Sequence, residues 1–165
     1  MKNSKRVILA VLIIGIVLGM IPTSTHAEVP QGKGKFAIGM DSIFPVTGLS
    51  GKYWFDDKLG GQVIVGLFGD LSMYGGRALY KFQEGENHYL YGSLLVGNWT
   101  YEWDFGWLGS GTESAFGLGL TGGLEYFSER IPSLGISLEI GFSSITLEHY
   151  DFSTVMAGTG IHYYF

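Results

Sequence analysis

The sequence contains no cysteine, only 4 prolines, and few charged residues, which make up 15% of the chain. Without cysteine there is no disulfide framework, no thiolate metal site and no thiol for the acyl anchor of a lipoprotein. Basic residues are the minority, with 10 Lys and Arg against 15 Asp and Glu. Because a nucleic-acid partner needs a basic surface to neutralise its phosphates, this balance excludes nucleic acid.

Glycine and aromatic residues are abundant instead, with 27 glycines and an aromatic fraction of 15%. No collagen-like period or low-complexity tract accounts for the glycines. A chain that is rich in glycine and rings but poor in charge is unusual for a soluble domain. This composition is typical of a β-barrel wall that lies in lipid.

The N-terminal part of the chain has the features of an export signal: a basic start, an uncharged and mostly apolar core over residues 7–21, and a small residue at Ala27. The apolar core is shorter than the roughly 20 residues that a membrane-spanning helix needs. We therefore predict a signal peptide over residues 1–27, cleaved after Ala27. A short periplasmic segment over residues 28–34 and a single barrel domain over residues 35–165 follow.

Beyond the predicted signal peptide, apolar and polar residues alternate with period two between turn signals, and no window shows a helical stripe. Eight such segments predict an all-β fold, an eight-stranded antiparallel up-and-down transmembrane β-barrel. The segment 89–99 has apolar residues on both sides, so the facing of strands four and five stays open. The predicted strands are residues 35–44, 49–55, 61–69, 74–82, 89–99, 115–127, 135–145 and 154–165.

Alternation alone fits two architectures, because an apolar face points inward in a soluble lipocalin-like barrel and outward in a membrane barrel. Aromatic residues near the strand ends favour the membrane barrel, since rings collect at the interface between lipid and water. Three tryptophans lie in or beside a predicted long loop, residues 100–114, on the side opposite the short turns. The predicted aromatic girdle is Tyr53, Phe55, Tyr80, Phe82, Trp99, Trp103, Trp107 and Tyr126.

The chain ends on the alternating segment GIHYYF. We predict that this last strand pairs with the first, because an open sheet edge in lipid would leave backbone groups without hydrogen bonds. A last strand with alternate apolar residues and a final Phe resembles the insertion signal of outer-membrane barrels. The residues that carry this resemblance are Ala157, Thr159, Ile161, Tyr163 and Phe165.

From about Lys35 onward the chain resembles the small eight-stranded barrels of the OmpA, OmpX and OmpW type, and GLSGKYWFDDKLGGQVIVGL is similar to their strand, turn, strand units. The resemblance implies a monomer in the outer membrane of a Gram-negative envelope. It also implies contact with outer-membrane lipid and lipopolysaccharide, and handling by periplasmic chaperones and the barrel assembly machinery. These motifs carry architecture and no reaction.

Charged residues of the predicted strands fall mainly on the inferred inner face. Because unpaired buried charge is costly, we predict that these residues form ion pairs that brace the wall of a filled barrel. The alternative is a narrow channel for small or hydrophobic solutes. The predicted lumenal network is Asp41, Lys52, Arg77, Lys81, Glu125, Glu139 and His162.

A third hypothesis is an enzyme that modifies lipid A at the outer rim, with Glu148 and His149 near Ser144 and Ser153 as acid, base and nucleophile. No spacing in this set places a nucleophile beside a base on one face. No pair of histidines has the spacing of metal ligands. We therefore predict a protein without a cofactor or metal that is not an enzyme, with a structural or surface-interaction role.

Overall fold

A computed structural model describes residues 32–43, 46–68, 71–104, 110–146 and 151–165. The predicted signal peptide lies outside the described residues, as does most of the segment that follows it. In the described part, no helix is long and apolar enough to cross a membrane. The strands are β1 Phe36–Ile43, β2 Val46–Trp54, β3 Leu59–Phe68, β4 Leu71–Glu84, β5 His88–Asp104, β6 Ser110–Ser128, β7 Ile131–Thr146 and β8 Asp151–Tyr164.

The strands follow one another around the sheet in chain order, and β8 closes the ring on β1. All neighbours are antiparallel, and the closing pair runs from Ala37 opposite Tyr164 to Ile43 opposite Gly158. The backbone N–H of Phe165 donates to the carbonyl of Phe36 over 2.9 Å. The predicted eight-stranded antiparallel up-and-down barrel is confirmed, together with the closure of the last strand on the first.

The barrel has two different ends. At the terminal end lie the start of β1, the end of β8 and the connections 55–58, 85–87 and 129–130. At the other end, here called the loop end, β1, β3, β5 and β7 finish and β2, β4, β6 and β8 begin. This arrangement places both ends of the barrel domain on the side of the short turns, as the strand count predicts.

The predicted long loop over residues 100–114 is wrong in most of its length. β5 continues to Asp104 and β6 begins at Ser110, with Tyr101 opposite Glu113 and Asp104 opposite Ser110. The sequence prediction ended the strands where the apolar alternation ended. The two strands continue because they hydrogen-bond to each other, which requires no apolar face.

Burial is inverted relative to a soluble protein. On β7, Ile140 is 65% exposed on the outside of the barrel, whereas the adjacent Glu139 is 7% exposed on the inside. Leu118 and Leu138 also face outward, and Glu125 is fully buried within the ring. An apolar exterior around an interior that holds the buried charges is the architecture of a small outer-membrane barrel, so the soluble lipocalin-like alternative is excluded.

Candidate functional site

The interior of the barrel is filled by side chains in three layers. The order is visible along β1, where Ala37, Asp41 and Ile43 face inward in turn from the terminal end. The aromatic layer at the terminal end is Ala37, Trp54, Leu79, Tyr89, Tyr91, Phe127 and Tyr164. The upper apolar layer is Ile43, Ile64, Met73, Leu95, Trp99, Ala115 and Met156. The polar layer between them includes Asp41, Ser50, Lys52, Gln62, Arg77, Ser93, Thr121, Glu125, Ser137, Glu139 and His162.

The facing of strands four and five, which the sequence leaves open, is settled by these layers. On β5, Tyr91, Ser93 and Leu95 point inward in turn, and each belongs to a different layer. Leu94 and Val96 point outward between and beyond them. Both faces of β5 are apolar at this height because one meets lipid and the other meets the upper apolar layer.

The first ion pair joins Lys52 of β2 to Glu125 of β6 across the interior. The Lys52 Nζ lies 2.6 Å from Glu125 Oε2, and both side chains are buried. The Tyr89 hydroxyl donates to the same carboxylate oxygen. The Tyr164 hydroxyl donates to Glu125 Oε1 over 2.9 Å. The carboxylate is therefore paired and hydrogen-bonded on both oxygens, which is the condition for a tolerable buried charge.

The second ion pair joins Arg77 of β4 to Glu139 of β7. Arg77 Nη1 lies 3.1 Å from Glu139 Oε1, and Arg77 Nη2 contacts Oε2. The same guanidinium donates to Gln62 Oε1 over 3.2 Å and to Thr121 Oγ1 over 3.1 Å. The Tyr91 hydroxyl also donates to Glu139. A two-point contact between guanidinium and carboxylate is the strongest and most directional kind of ion pair.

His162 of β8 lies between Asp41, the third carboxylate of the interior, and Glu125 of the first ion pair. Its Nε2 is 2.6 Å from Ser50 Oγ and 3.4 Å from Asp41 Oδ2. Its Nδ1 is 3.8 Å from Glu125 Oε1. The Gln62 amide donates to Asp41 and thereby links this group to the Arg77 pair. Polar contacts therefore run continuously from one wall of the barrel to the other.

Lys81 lies at the terminal end of the interior, among rings. Its Nζ is 4.2 Å from the ring centre of Trp54 and 4.7 Å from that of Tyr89. It also lies 3.0 Å from Glu84 Oε1 at the rim. Cation–π contact and one ion pair together compensate the burial of this ammonium. All seven residues of the predicted lumenal network therefore face inward, six in the polar layer and Lys81 beside the aromatic layer.

The predicted aromatic girdle is divided by the structure. Tyr53, Phe55, Tyr80, Phe82 and Tyr126 are exposed at the terminal end. Trp99 is a correction, because it is 5% exposed and packs in the upper apolar layer. On β5 it has the same parity as Leu95 and Tyr91, which both face inward. The side chain of Trp103 and the whole of Trp107 lie outside the described residues.

The predicted insertion signal faces outward on β8, and its rings pack with each other. Phe165 stacks on Phe36 with 6.2 Å between ring centres and meets Tyr163 edge to face at 5.2 Å. Sequence reasoning missed the inward aromatic residues, above all Trp54, Tyr89, Phe127 and Tyr164. The sequence does indicate their facing. Trp54 lies between the girdle residues Tyr53 and Phe55, and neighbouring residues of a strand point to opposite sides.

The lipid-modifying hypothesis gains no support from the described residues. Glu148 and His149 lie outside them, and Ser144 faces outward on β7. A serine and a histidine do meet inside the barrel, as Ser50 and His162, but they lie buried between the aromatic and upper apolar layers. A catalytic pair must contact its substrate, whereas the side chains of Ser50 and His162 are both buried in the barrel interior. No group of three His, Asp or Glu residues within the described ranges could hold a metal.

Comparisons with known proteins give structural likeness only. No family model and no curated protein matches the chain. The crystal structure of Ail, the attachment invasion locus protein of Yersinia pestis, is 18% identical, with 79% of this chain and 99% of that one covered and a TM-score of 0.46.

Two further solved structures are similar. The structure of the outer membrane protein Ail of Yersinia pestis in a bilayer nanodisc is 20% identical, covering 81% of this chain and 99% of that one, with a TM-score of 0.43. Neisserial surface protein A is 12% identical, covering 79% and 94%, with a TM-score of 0.32. The assignment of this chain to the small eight-stranded barrels rests on its own strand order and inverted burial.

Proposed function

We propose that this protein is an integral outer-membrane barrel with a structural and surface-interaction role and an interior closed to solutes. The observation that carries the proposal is the continuous filling of the interior by the aromatic, polar and upper apolar layers. An eight-stranded barrel is only wide enough to hold its own side chains or one small ligand. Large buried residues such as Trp54, Tyr89 and Leu95 occupy that space at both ends of the polar layer.

The surface-interaction role is supported by the ribbon that β5 and β6 form at the loop end. The last pairs with the neighbouring strands are Tyr101 with Leu71 on one side and Phe116 with Thr146 on the other. Beyond them, among the residues that the structure describes, β5 and β6 pair only with each other, as far as Asp104 opposite Ser110. A two-stranded ribbon with two open edges offers backbone donors and acceptors to a partner chain.

Planar-bilayer recording tests the closed interior. We expect no discrete conductance steps from the purified, refolded protein, because ions would have to cross two apolar layers as well as the paired charges. The matched variant is Glu125→Gln, which alters the polar layer and leaves the wall unchanged. Steps that appear in the unaltered protein and disappear in this variant would instead establish the narrow channel.

Labelling of single cysteines tests the location and the orientation, and the absence of cysteine from the chain makes it clean. Thr112→Cys lies on the ribbon and Glu129→Cys in a terminal-end turn. On intact cells we expect a membrane-impermeant maleimide to label the ribbon position only. Labelling of the turn alone would reverse the orientation. Labelling of neither position on intact cells, with labelling of both after permeabilisation, would argue against surface exposure of the ribbon.

A further inference from the structure

The wall of the barrel has very different heights on its two sides. β1, β2 and β3 contain 8, 9 and 10 residues. β5, β6 and β7 contain 17, 19 and 16 residues. In the closed ring, β1, β2 and β3 lie opposite β5, β6 and β7, so the short strands and the long strands stand on opposite sides of the barrel. The short sector β1 to β3 is here called the low wall.

The strand lengths convert into heights that can be compared with a bilayer. At about 3.3 Å per residue and a tilt of about 40°, a strand the length of β1 rises about 20 Å and one the length of β6 about 48 Å. The apolar band of a membrane barrel is about 25 Å tall. β6 therefore clears the band by a wide margin, whereas β1 and β2 end below its upper edge. Only two residues of sequence separate β1 from β2.

The outward side chains of β1 and β2 change from apolar to polar at the same cross-strand pair. On β1 the apolar outward series is Phe36, Ile38 and Met40, and the next outward residue is Ser42. Ser42 pairs across strands with Thr47, and their hydroxyls are 2.8 Å apart.

On β6, Leu120 lies as many residues from Tyr126 as Ser42 lies from Phe36 on β1, in each case toward the loop end. Leu120 faces outward, and Leu118 and Phe116 continue the apolar surface above it. Two hydroxyls on the low wall therefore lie at a height where the opposite wall is still fully apolar.

We propose that the low wall is a lipid-contact surface at which headgroups of the outer leaflet descend, so that the bilayer is thinner beside β1 and β2 than beside β6. Mismatch between a short apolar stretch and a thicker bilayer is relieved by local thinning at a modest free-energy cost. Headgroup and water contact then satisfies the hydroxyl pair of Ser42 and Thr47. The inference rests on the proposed membrane location and adds a directional effect on the surrounding lipid.

The test uses single cysteines at matched heights in lipid nanodiscs of palmitoyl-oleoyl phosphatidylcholine, which leave both membrane faces accessible. Ser42→Cys probes the low wall and Leu120→Cys the high wall, and each is treated with a charged methanethiosulfonate. We expect Ser42→Cys to react at least about ten-fold faster, because hydrocarbon excludes both the charged reagent and the thiolate. Thr112→Cys on the ribbon sets the rate of a fully exposed thiol.

Each outcome is informative. Equal, slow reaction of Ser42→Cys and Leu120→Cys would overturn the inference and leave the membrane location intact. Fast reaction of Leu120→Cys would overturn the membrane location and the inference with it. Tyr53→Cys and Tyr126→Cys at the terminal end separate thinning from tilting: equal rates support thinning, whereas slow reaction at position 53 with fast reaction at 126 would mean that the whole barrel tilts.

Discussion

The outward and inward faces of one strand have different surroundings in this barrel, lipid on one side and packed side chains on the other. On β5, Leu94 is 50% exposed toward lipid, and its neighbour Leu95 is 1% exposed inside the barrel. On β7, Ile140 faces lipid and Glu139 is ion-paired inside. Lipid adapts to the shape of an outer side chain, but interior side chains must pack against each other and satisfy each charge. Stability should therefore depend on the shape and charge of each interior side chain, but only on the apolar character of each exterior one.

The sharpest way to break this comparison is to remove one partner of the Arg77–Glu139 pair. Glu139→Leu leaves the guanidinium buried without its counter-ion, and we expect a loss of about 3–5 kcal/mol in the free energy of unfolding. The double variant Arg77→Met with Glu139→Leu should recover most of that loss, because no buried charge remains. Urea unfolding in phospholipid vesicles, followed by gel mobility without boiling, measures both. A double variant as unstable as the single one would contradict the interpretation of this pair as compensated charges.

Adjacent leucines provide the second test. Leu95→Ala opens a cavity in the upper apolar layer, and we expect a loss of about 2–5 kcal/mol. Leu94→Ala removes the same atoms from the lipid-facing side, where acyl chains fill the space, and should cost much less. The same unfolding assay compares the two variants. Equal losses at positions 94 and 95 would mean that the interior is not packed more tightly than the exterior.

A charge on the outer face tests the other half of the comparison. Ile140→Arg places a guanidinium in the middle of the apolar surface, and we expect a loss of about 2–4 kcal/mol. Ser144→Arg on the same strand, nearer the loop end, should cost only about 0–1 kcal/mol because its charge reaches the interface. The difference between the two unfolding free energies is the measurement. No difference would place the hydrocarbon band elsewhere on β7.

The smallest expected effect lies outside both faces, in the turn between β2 and β3. The backbone N–H groups of Lys58 and Leu59 donate to Asp56 Oδ1 over 2.7 and 2.6 Å, and these bonds hold the pKa of the Asp56 carboxyl below its usual range. Because the pKa of Asp56 is lower in the folded protein than in the unfolded chain, the ionised carboxylate stabilises the fold above the ordinary Asp pKa, near 3.9. This stabilisation is lost as pH falls through the folded pKa.

Carboxyl-carbon NMR titration should place the Asp56 midpoint below that of an unstructured Asp. Asp56→Asn keeps the acceptor oxygen and removes the titration, so its turn should be insensitive to acid. An Asp56 midpoint at the ordinary value would show that the two hydrogen bonds do not favour the ionised carboxylate in solution.

Strand number, closure and the inward facing of the charged residues could be predicted from the sequence. Period-two alternation and the cost of open edges in lipid are local and general rules, and they suffice for Arg77, Glu125 and Glu139. The position of Trp99 was predicted wrongly because tryptophan suits both an interface and a packed interior. Its parity with Leu95 decides between them, but that parity has meaning only once the continuous register of β5 is known.

The predicted loop over residues 100–114 failed for a related reason. Backbone pairing between β5 and β6 extends the strands without an apolar face, so the residues carry little pattern to show it. The same pairing produced the ribbon, and the short strands β1, β2 and β3 produced the low wall.

By itself, the sequence determined the alternating strands of an eight-stranded barrel, because alternation along a strand depends only on neighbours in the chain, and the aromatic residues near the strand ends favoured apolar residues on the outside. Only the tertiary structure decided which carboxylate meets which cation. Lys52 and Glu125, or Arg77 and Glu139, come from strands far apart in sequence, and they meet because the barrel's register and diameter bring them across the interior. That selection depends on distances through space, which no local pattern encodes.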